Sequence, residues 1–379
     1  MIRLQGSLSR SLICIALLGV LFAAPALAQE ERRQPRLLVT LPDTCPTPDG
    51  MAVDAEGNLV VACPNFADTA QPGCLIRVDR QRRITPWVNV PPLAETGRAF
   101  PMGIAFGPDG DLYVCDNQNW PTGNGPDGEL NQGRLLRLRI RGARIERTTV
   151  VAHQISHPNG VRVHEGHVYI TVSLLPKIRR DDKLLVSGVY RFRLDDEGVA
   201  LSNTLADPNL LVTFVTQNRD CQYGADGLTF DSQGNLLVGN FGDGALHKVT
   251  FDADGRVTGN TVFAKTDFAT PMSDPNFQEK MVRGKMRTTD GICIDARDNI
   301  YVADFSNNAV CRVDPQGRIT VLAQSPDGDG SDGGLDQPGE PILWNGKLVV
   351  SNFDMVTGSD KVNTKHDKPY TLSYLELED

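Results

Sequence analysis

Six residues spread along this chain, Asp49, Met102, Asn159, Asp226, Asp290 and Glu340, each open the same short phrase. They recur at intervals of 53, 57, 67, 64 and 50 residues. Behind each comes a short apolar strand, a tight turn and a second strand. Asp226-Gly227-Leu228-Thr229-Phe230 runs into Asn235-Leu236-Leu237-Val238, and Asp290-Gly291-Ile292-Cys293-Ile294 into Asn299-Ile300-Tyr301-Val302. Four of the six lead residues are carboxylates and a fifth is an amide. Brought to one place, such hard oxygen donors repel one another unless protons or a cation intervene, and they suit calcium or magnesium better than zinc or copper. An Asp-Gly step is also an ordinary way into a strand, so the chemistry depends on whether the six copies converge.

A repeat of this period built of strand and turn is the signature of a β-propeller, each unit forming one four-stranded blade. The expected architecture is all-β, a six-bladed ring with the lead residues around its channel. In the first blade the strands are expected at Met51–Val53, Asn58–Ala62, Leu75–Val78 and Ile84–Val88. The first turns carry hairpin chemistry, as in Ala55-Glu56-Gly57 and Ser232-Gln233-Gly234. The C-terminal stretch Thr371–Leu375 lacks a following strand, and Arg36-Leu37-Leu38-Val39-Thr40 is expected to supply it and close the ring. With the first strand of each blade running away from an upper face, the long loops 117–132, 173–185 and 354–369 and the segment 266–289 all crowd that face. Loops on a rigid scaffold are where function usually sits.

Residues 1–28 read as a secretion signal: Arg3 and Arg10, an apolar run from Ser11 to Ala24, and the small-residue pattern Ala26-Leu27-Ala28. The expected mature domain is 29–379, periplasmic or secreted. Losing two arginines moves the formal charge from -9 to -11. An acidic surface argues against nucleic acid and anionic membranes as partners, and a soluble monomer acting on a small molecule is expected. Of the eight cysteines, Cys14 lies in the signal. Cys63 and Cys74, at the end of one strand and the start of the next, are the disulfide candidates, and a Cys45–Cys221 bridge is conceivable. Cys115, Cys293 and Cys311 read as small buried side chains.

The phrases His157-Pro158-Asn159-Gly160-Val161, Ala225-Asp226-Gly227-Leu228 with Asp231 and Gly234-Asn235-Leu236, and Pro338-Gly339-Glu340-Pro341-Ile342-Leu343-Trp344 resemble the gluconolactonase/regucalcin superfamily of six-bladed propellers. Paraoxonases and squid-type diisopropyl fluorophosphatase belong to the same superfamily. The resemblance spans essentially the whole mature chain, though only the first two phrases are specific. It implies a calcium-type ion held by Glu340, Asn159 and Asp226. That ion would act as a Lewis acid on a lactone carbonyl or phosphoryl oxygen, with Asp226 or Asp290 activating water or attacking directly. Two departures stand out. The family's Glu opens the first blade whereas Glu340 lies in the last, and Met102 stands where many members place Asn.

Asp49, Met102, His157 and Arg287 are the expected substrate contacts. Arg283, Lys285 and Arg287 form a run that reads either as a solvated loop or as a carboxylate-recognition element. Asp327, Asp329 and Ser331 imitate the start of a calcium loop but lack its glycine and its closing Glu, so an acidic surface loop is expected. His164 and His167 flank a hairpin and are expected to face solvent. Asn65, Asn240 and Asn352, ending second strands, support the site or merely terminate strands. The reading with most support is an exported, metal-dependent lactonase or esterase. The alternatives are a non-catalytic ligand- or protein-binding propeller and a strictosidine-synthase-like or lyase propeller.

Overall fold

The computed structural model describes residues 1–2, 32–118, 131–266, 286–355 and 361–377. Strands and tight turns account for nearly all of it, and Arg32–Asp379 forms one unit. Six sheets follow one another in sequence, each with its first strand innermost. Blade 1 comprises Met51–Val53, Leu59–Cys63, Cys74–Val78 and Ile84–Asn89. The inner strands of the other five are Pro101–Phe106, Pro158–His164, Ala225–Phe230, Ile292–Ile294 and Pro338–Trp344. Each inner strand touches that of the next blade, and the sixth returns to the first. The six-bladed all-β propeller read from the repeat is the observed fold.

Ring closure also follows expectation. Arg36–Thr40 pairs antiparallel with Thr371–Glu376, completing a sixth sheet drawn from both ends of the chain. One feature was not foreseen. Val199–Ala200, in the connection between the third and fourth strands of blade 3, runs back to pair parallel with Arg144–Ile155. Blade 2 thereby gains a fifth strand, which covers part of an edge that would otherwise be open. Among the described residues no helix is long and apolar enough to cross a membrane.

The second strand of each blade is wedged between neighbours and reads as a continuous apolar run. Leu59–Cys63, Leu112–Asp116, Leu236–Asn240 and Ile300–Asp304 are buried at every position. The inner strands carry the feature that shapes the channel. In blades 2, 3, 4 and 6 the register slips by one residue between Pro101 and Ile104, Pro158 and Val161, Ala225 and Leu228, and Pro338 and Pro341. Blades 1 and 5 match them, since Asp49 N donates to Ala62 O while Ala62 N donates to Gly50 O, and Asp290, Gly291 and Ala303 repeat the pattern. Two residues thus oppose one in every blade. Such a β-bulge bends the strand and re-aims a side chain.

The glycine after five of the six lead residues is there for space, not for the turn, and Pro341 follows Glu340. Gly57 and Gly234, in hairpin turns, have φ of 82° and 78°, whereas Gly103, Gly160, Gly227 and Gly291 are not among the positive-φ residues. A Cβ on Gly227 would lie 2.6 Å from the Asp290 carbonyl oxygen, one on Gly103 2.5 Å from that of Asn159, and one on Gly160 2.8 Å from that of Asp226. Backbone bonds follow the same path, from Gly227 N to Asp290 O at 3.2 Å and from Gly291 N to Gly339 O at 2.9 Å. Because the obstructing atoms are backbone, they cannot rotate away. Gly227→Ala is expected to cost about 1–3 kcal/mol through this overpacking, and Gly328→Ala, with nothing within 4 Å, no more than about 0.5 kcal/mol. Urea unfolding of the two variants checks the contrast, and equal costs would mean that the inner ring can widen.

Candidate active site in the channel

The bulges bring Asp49, Met102, Asn159, Asp226 and Asp290 to the same level of the ring, at the face where the inner strands begin. Asp49, Asn159 and Asp226 are 6%, 5% and 3% exposed. Glu340 departs from its expected place. By register the residue equivalent to Asp226 is Gly339, and Glu340 takes the position that glycine holds in the other blades. Its N–H donates to Ser351 Oγ at 2.9 Å, as Gly160 N–H does to Thr171 Oγ1 at 2.8 Å. A bulge places two residues opposite one partner, so counting along the sequence could not decide which of the two leads.

This offset sends the Glu340 carboxylate over Gly291 and towards a residue that the sequence reading did not single out. Arg162, on the inner strand of blade 3, crosses the channel to blade 6, where its Nη2 lies 2.7 Å from Glu340 Oε1. The same guanidinium donates to Val161 O at 2.8 Å and Ile292 O at 2.9 Å. In Val161-Arg162-Val163 it looks like any polar residue alternating on a strand.

Asp226 and Asp290 share a hydrogen bond, and both carboxyls are pushed well above the usual range, first by burial and then by the neighbouring acids. Asp49 rises to about 8, through burial and then the Glu340 charge. Burial raises Glu340 too, while Arg162 pulls it down. Among the described residues, the ion pair within this group is Arg162–Glu340. Four carboxyls against one guanidinium leave an excess that protons or a cation must cover. Asp226, Asp290, Asp49 and Asn159 supply hard oxygens at one level, so the donor set fits a hard divalent cation. Glu340, already bonded to Arg162, fits better as the floor of the site.

The wall is tied down by short polar contacts. Asn159 Nδ2 donates to Ser173 Oγ and to Tyr223 Oη, both at 3.4 Å, and its side chain also hydrogen-bonds Asp226. Ser173 Oγ donates to Ala225 O at 2.7 Å. Burial and the nearby Asp226 push the Tyr223 phenol well up. His157, 5% exposed, stands edge-on to Tyr223 with ring centroids 6.4 Å apart. Burial lowers it to about 4, so it is neutral at physiological pH.

An aromatic belt borders the acids. It runs from Phe100 to Phe66 (5.1 Å), Phe353 (6.2 Å), Phe305 (6.0 Å), Phe241 (5.8 Å) and Tyr223 (5.4 Å). Met102, 2% exposed, belongs to the same apolar cluster. Four of these Phe follow an Asn or Asp that ends or closely follows a second strand, in Asn65-Phe66, Asn240-Phe241, Asp304-Phe305 and Asn352-Phe353. The polar members are anchors. Asn65 Nδ2 donates to Thr44 O and Pro72 O, Asn240 Oδ1 accepts from Thr216 Oγ1, and Asn352 Nδ2 donates to Thr371 Oγ1 and Ser373 Oγ. That recurring pair was the sequence signal for the belt.

Other expected contributors fall elsewhere. Arg287 is buried and its backbone N–H donates to Asp304 at 2.8 Å. Arg283 and Lys285 lie outside the described residues, as do residues 3–31 with the expected cleavage site. Asp327 accepts from Thr364 and Asp329 from Ser331, as an acidic loop would. His164 is part-exposed, with 28% of its side chain open to solvent and one ring face stacked on Phe230 at 3.9 Å. Cys45 lies 3.9 Å from Cys74, sulfur to sulfur, and not beside Cys221. All seven cysteines outside the signal are thiols.

No family model matches the chain, and no curated protein sequence is similar to it. Solved six-bladed propellers are similar in fold. The calcium-binding protein regucalcin from Agrobacterium tumefaciens strain C58 is 14% identical with a TM-score of 0.54, covering 91% of this chain and 94% of its own. The gluconolactonase XC5397 from Xanthomonas campestris is 14% identical with a TM-score of 0.51, covering 91% and 93%. A PQQ-bound aldose sugar dehydrogenase from Streptomyces coelicolor is 16% identical with a TM-score of 0.54, covering 93% and 100%. The neighbours include gluconolactonase- and regucalcin-like propellers, and at these identities the likeness is one of fold.

The acids give two expectations. An unfolded Asp ionises near ~3.9, so between that pH and about 8 the folded chain keeps a proton on Asp49 that the unfolded chain has lost. Stability of the metal-free protein therefore falls as pH rises through this window, and Asp226 and Asp290 act in the same direction. Melting temperature in EGTA should drop from pH 5 to pH 8.5, and added Ca2+ should raise it most at the alkaline end. A metal-free melting temperature that rises with pH would contradict the buried cluster. Separately, Arg162→Met should cost about 3–5 kcal/mol in urea unfolding at pH 8, by leaving Glu340 buried without its partner. The cost should shrink at pH 5, where Glu340 can take a proton.

Proposed function

We propose that this chain, exported by residues 1–28, is a hydrolase that opens a lactone or related carboxylic ester at the channel acids. The observation that carries this reading is the hydrogen-bonded pair Asp226–Asp290, with Asp49 and Asn159 beside it. The propeller fold, shared with a gluconolactonase and with calcium-binding regucalcin, supports it. A divalent cation bound by Asp226, Asp290, Asp49 and Asn159 would supply Lewis-acid polarisation of the ester carbonyl and balance the negative charge remaining on the cluster.

The protein's own groups do the rest. Asp226 and Asp290, sharing one proton, provide one carboxylate to take a proton from the attacking water and one carboxylic acid to return a proton to the leaving alkoxide. Asn159, tethered to Ser173 and Tyr223, fixes one side of the reacting group. Arg162 holds Glu340 away from the reacting level. Phe66, Phe353, Phe305 and Phe241 present an apolar wall, which suits a substrate with a hydrocarbon or aryl body.

The test is pH-stat hydrolysis of a panel of sugar lactones, alkyl lactones, aryl esters and phosphotriesters, with Ca2+ and after chelation. Turnover of an alkyl lactone or aryl ester is expected to vanish on chelation and return with Ca2+. Asp226→Asn and Asn159→Ala should lower kcat/KM at least ~100-fold while keeping the fold by circular dichroism. No turnover by folded, calcium-loaded protein on any member would overturn the hydrolase reading in favour of a binding propeller.

A further inference from the structure

On the middle strands of blade 1, at the end where its inner strand begins, three cysteines converge. Cys63 ends the second strand, Cys74 begins the third as its cross-strand partner, and Cys45 comes from the segment leading into the blade. The three sulfurs all lie within 4.8 Å of one another, with Cys45 Sγ and Cys74 Sγ 3.9 Å apart. Cys45 and Cys63 are 1% and 0% exposed, and Cys74 is half-buried. Cys45 and Cys74 line a surface cleft with Pro42, Thr44, Gln71 and Pro72.

We propose that Cys45, Cys63 and Cys74 form a soft-metal site that binds a d10 cation, Zn2+ or Cu+, through three thiolates, with a fourth position open to the cleft. Distance decides between this and a disulfide. Metal–sulfur bonds of about 2.3 Å at a tetrahedral angle set sulfurs about 3.8 Å apart, close to the observed separation, whereas a disulfide needs about 2.05 Å. A disulfide would also use two sulfurs and leave the third beside it as a nucleophile.

The site is built from outside itself. Asn65, fully buried, donates from Nδ2 to Thr44 O at 3.1 Å and to Pro72 O at 2.8 Å. One amide thus clamps the residue before Cys45 and the segment before Cys74, and it also hydrogen-bonds the Cys74 thiol. Asn65 Oδ1 is buried without a protein partner. Such supporting bonds fix ligands in place. Thr44 Oγ1 lies 4.0 Å from Cys45 Sγ. Hydrogen bonds from Cys63 and Cys74 lower Cys45 to about 4, while Cys74 is pushed up to about 12. Metal binding by the three thiolates releases the thiol protons to water and changes no oxidation state.

The mature chain is reduced, incubated anaerobically with Zn2+ or with Cu+, desalted into EGTA and analysed by native mass spectrometry and elemental analysis. One metal per chain is expected to survive EGTA, which strips the channel, and to be absent from Cys45→Ser and Cys74→Ser. It should remain in Cys221→Ser and Asp226→Asn. Which metal is retained names the ion. Co2+ in place of Zn2+ should give a sulfur-to-metal charge-transfer band in wild type, so the conclusion does not rest on variants alone. Folded, reduced wild type that retains neither metal, or metal retention unchanged in Cys45→Ser, would overturn the proposal. So would a disulfide between two of the three in protein isolated without reductant, if reduction does not restore binding.

Discussion

Like charge held close together at the axis is the constraint on which the rest of this structure depends. Four carboxyls come from four blades, and they are close because the ring permits no greater distance. Gly103, Gly160 and Gly227 let each inner strand lie against the next. Water cannot relieve the repulsion, because Asp49 and Asp226 are almost wholly covered. What remains is to move protons, bind a cation, or bring in a basic side chain. The protein uses the last of these once, with Arg162 reaching Glu340 from the opposite blade. Packing therefore sets the electrostatics, and the electrostatics set the chemistry that the channel can perform.

Much of this was legible in the sequence because repetition is legible. The lead residues gave blade number and order, and Arg36–Thr40 could be matched to the strand missing after Thr371–Leu375. Asp226, Asp290, Asn159 and Asp49 follow directly, since equivalent positions on a closed ring must face one another. What escaped are features on which the repeat is silent. The bulge displaces Glu340 by one position and changes its partner. Arg162 acts across the channel, a distance that no local pattern encodes. Cys63 and Cys74 lie beside each other as the strand pattern suggested, and Cys45 joins them because the segment leading into blade 1 folds over them, which sequence separation did not show. The Asn/Asp-Phe pairs were visible, but their meaning required knowing that second strands end at the face where inner strands begin.

The fold alone leaves the chemistry open. A gluconolactonase, a calcium-binding regucalcin and a PQQ-bound sugar dehydrogenase share this architecture at 14–16% identity with this chain. Function must therefore be argued from side chains. Here two arrangements narrow it. Under the function proposed above, the oxygen donors suit a hard ion, and the Phe rings beside them suit a substrate whose bulk avoids water. A hydroxyl-rich sugar would have to leave its hydroxyls unpaired against Phe241 and Phe305, at a desolvation cost that an alkyl or aryl group avoids.

The same preference for matched donors separates two groups at one end of blade 1. Asp49, opening its inner strand, belongs to a group of hard oxygens, while Cys45, only a few residues earlier in the chain, belongs to a group of soft sulfurs. Thiolates prefer d10 ions, and carboxylates prefer calcium and magnesium. Segregation by donor type would keep a soft ion at the rim from displacing the cation proposed for the channel. Asn65 anchors the rim segment and also precedes Phe66 of the belt, so the cysteines and the channel wall share one supporting residue.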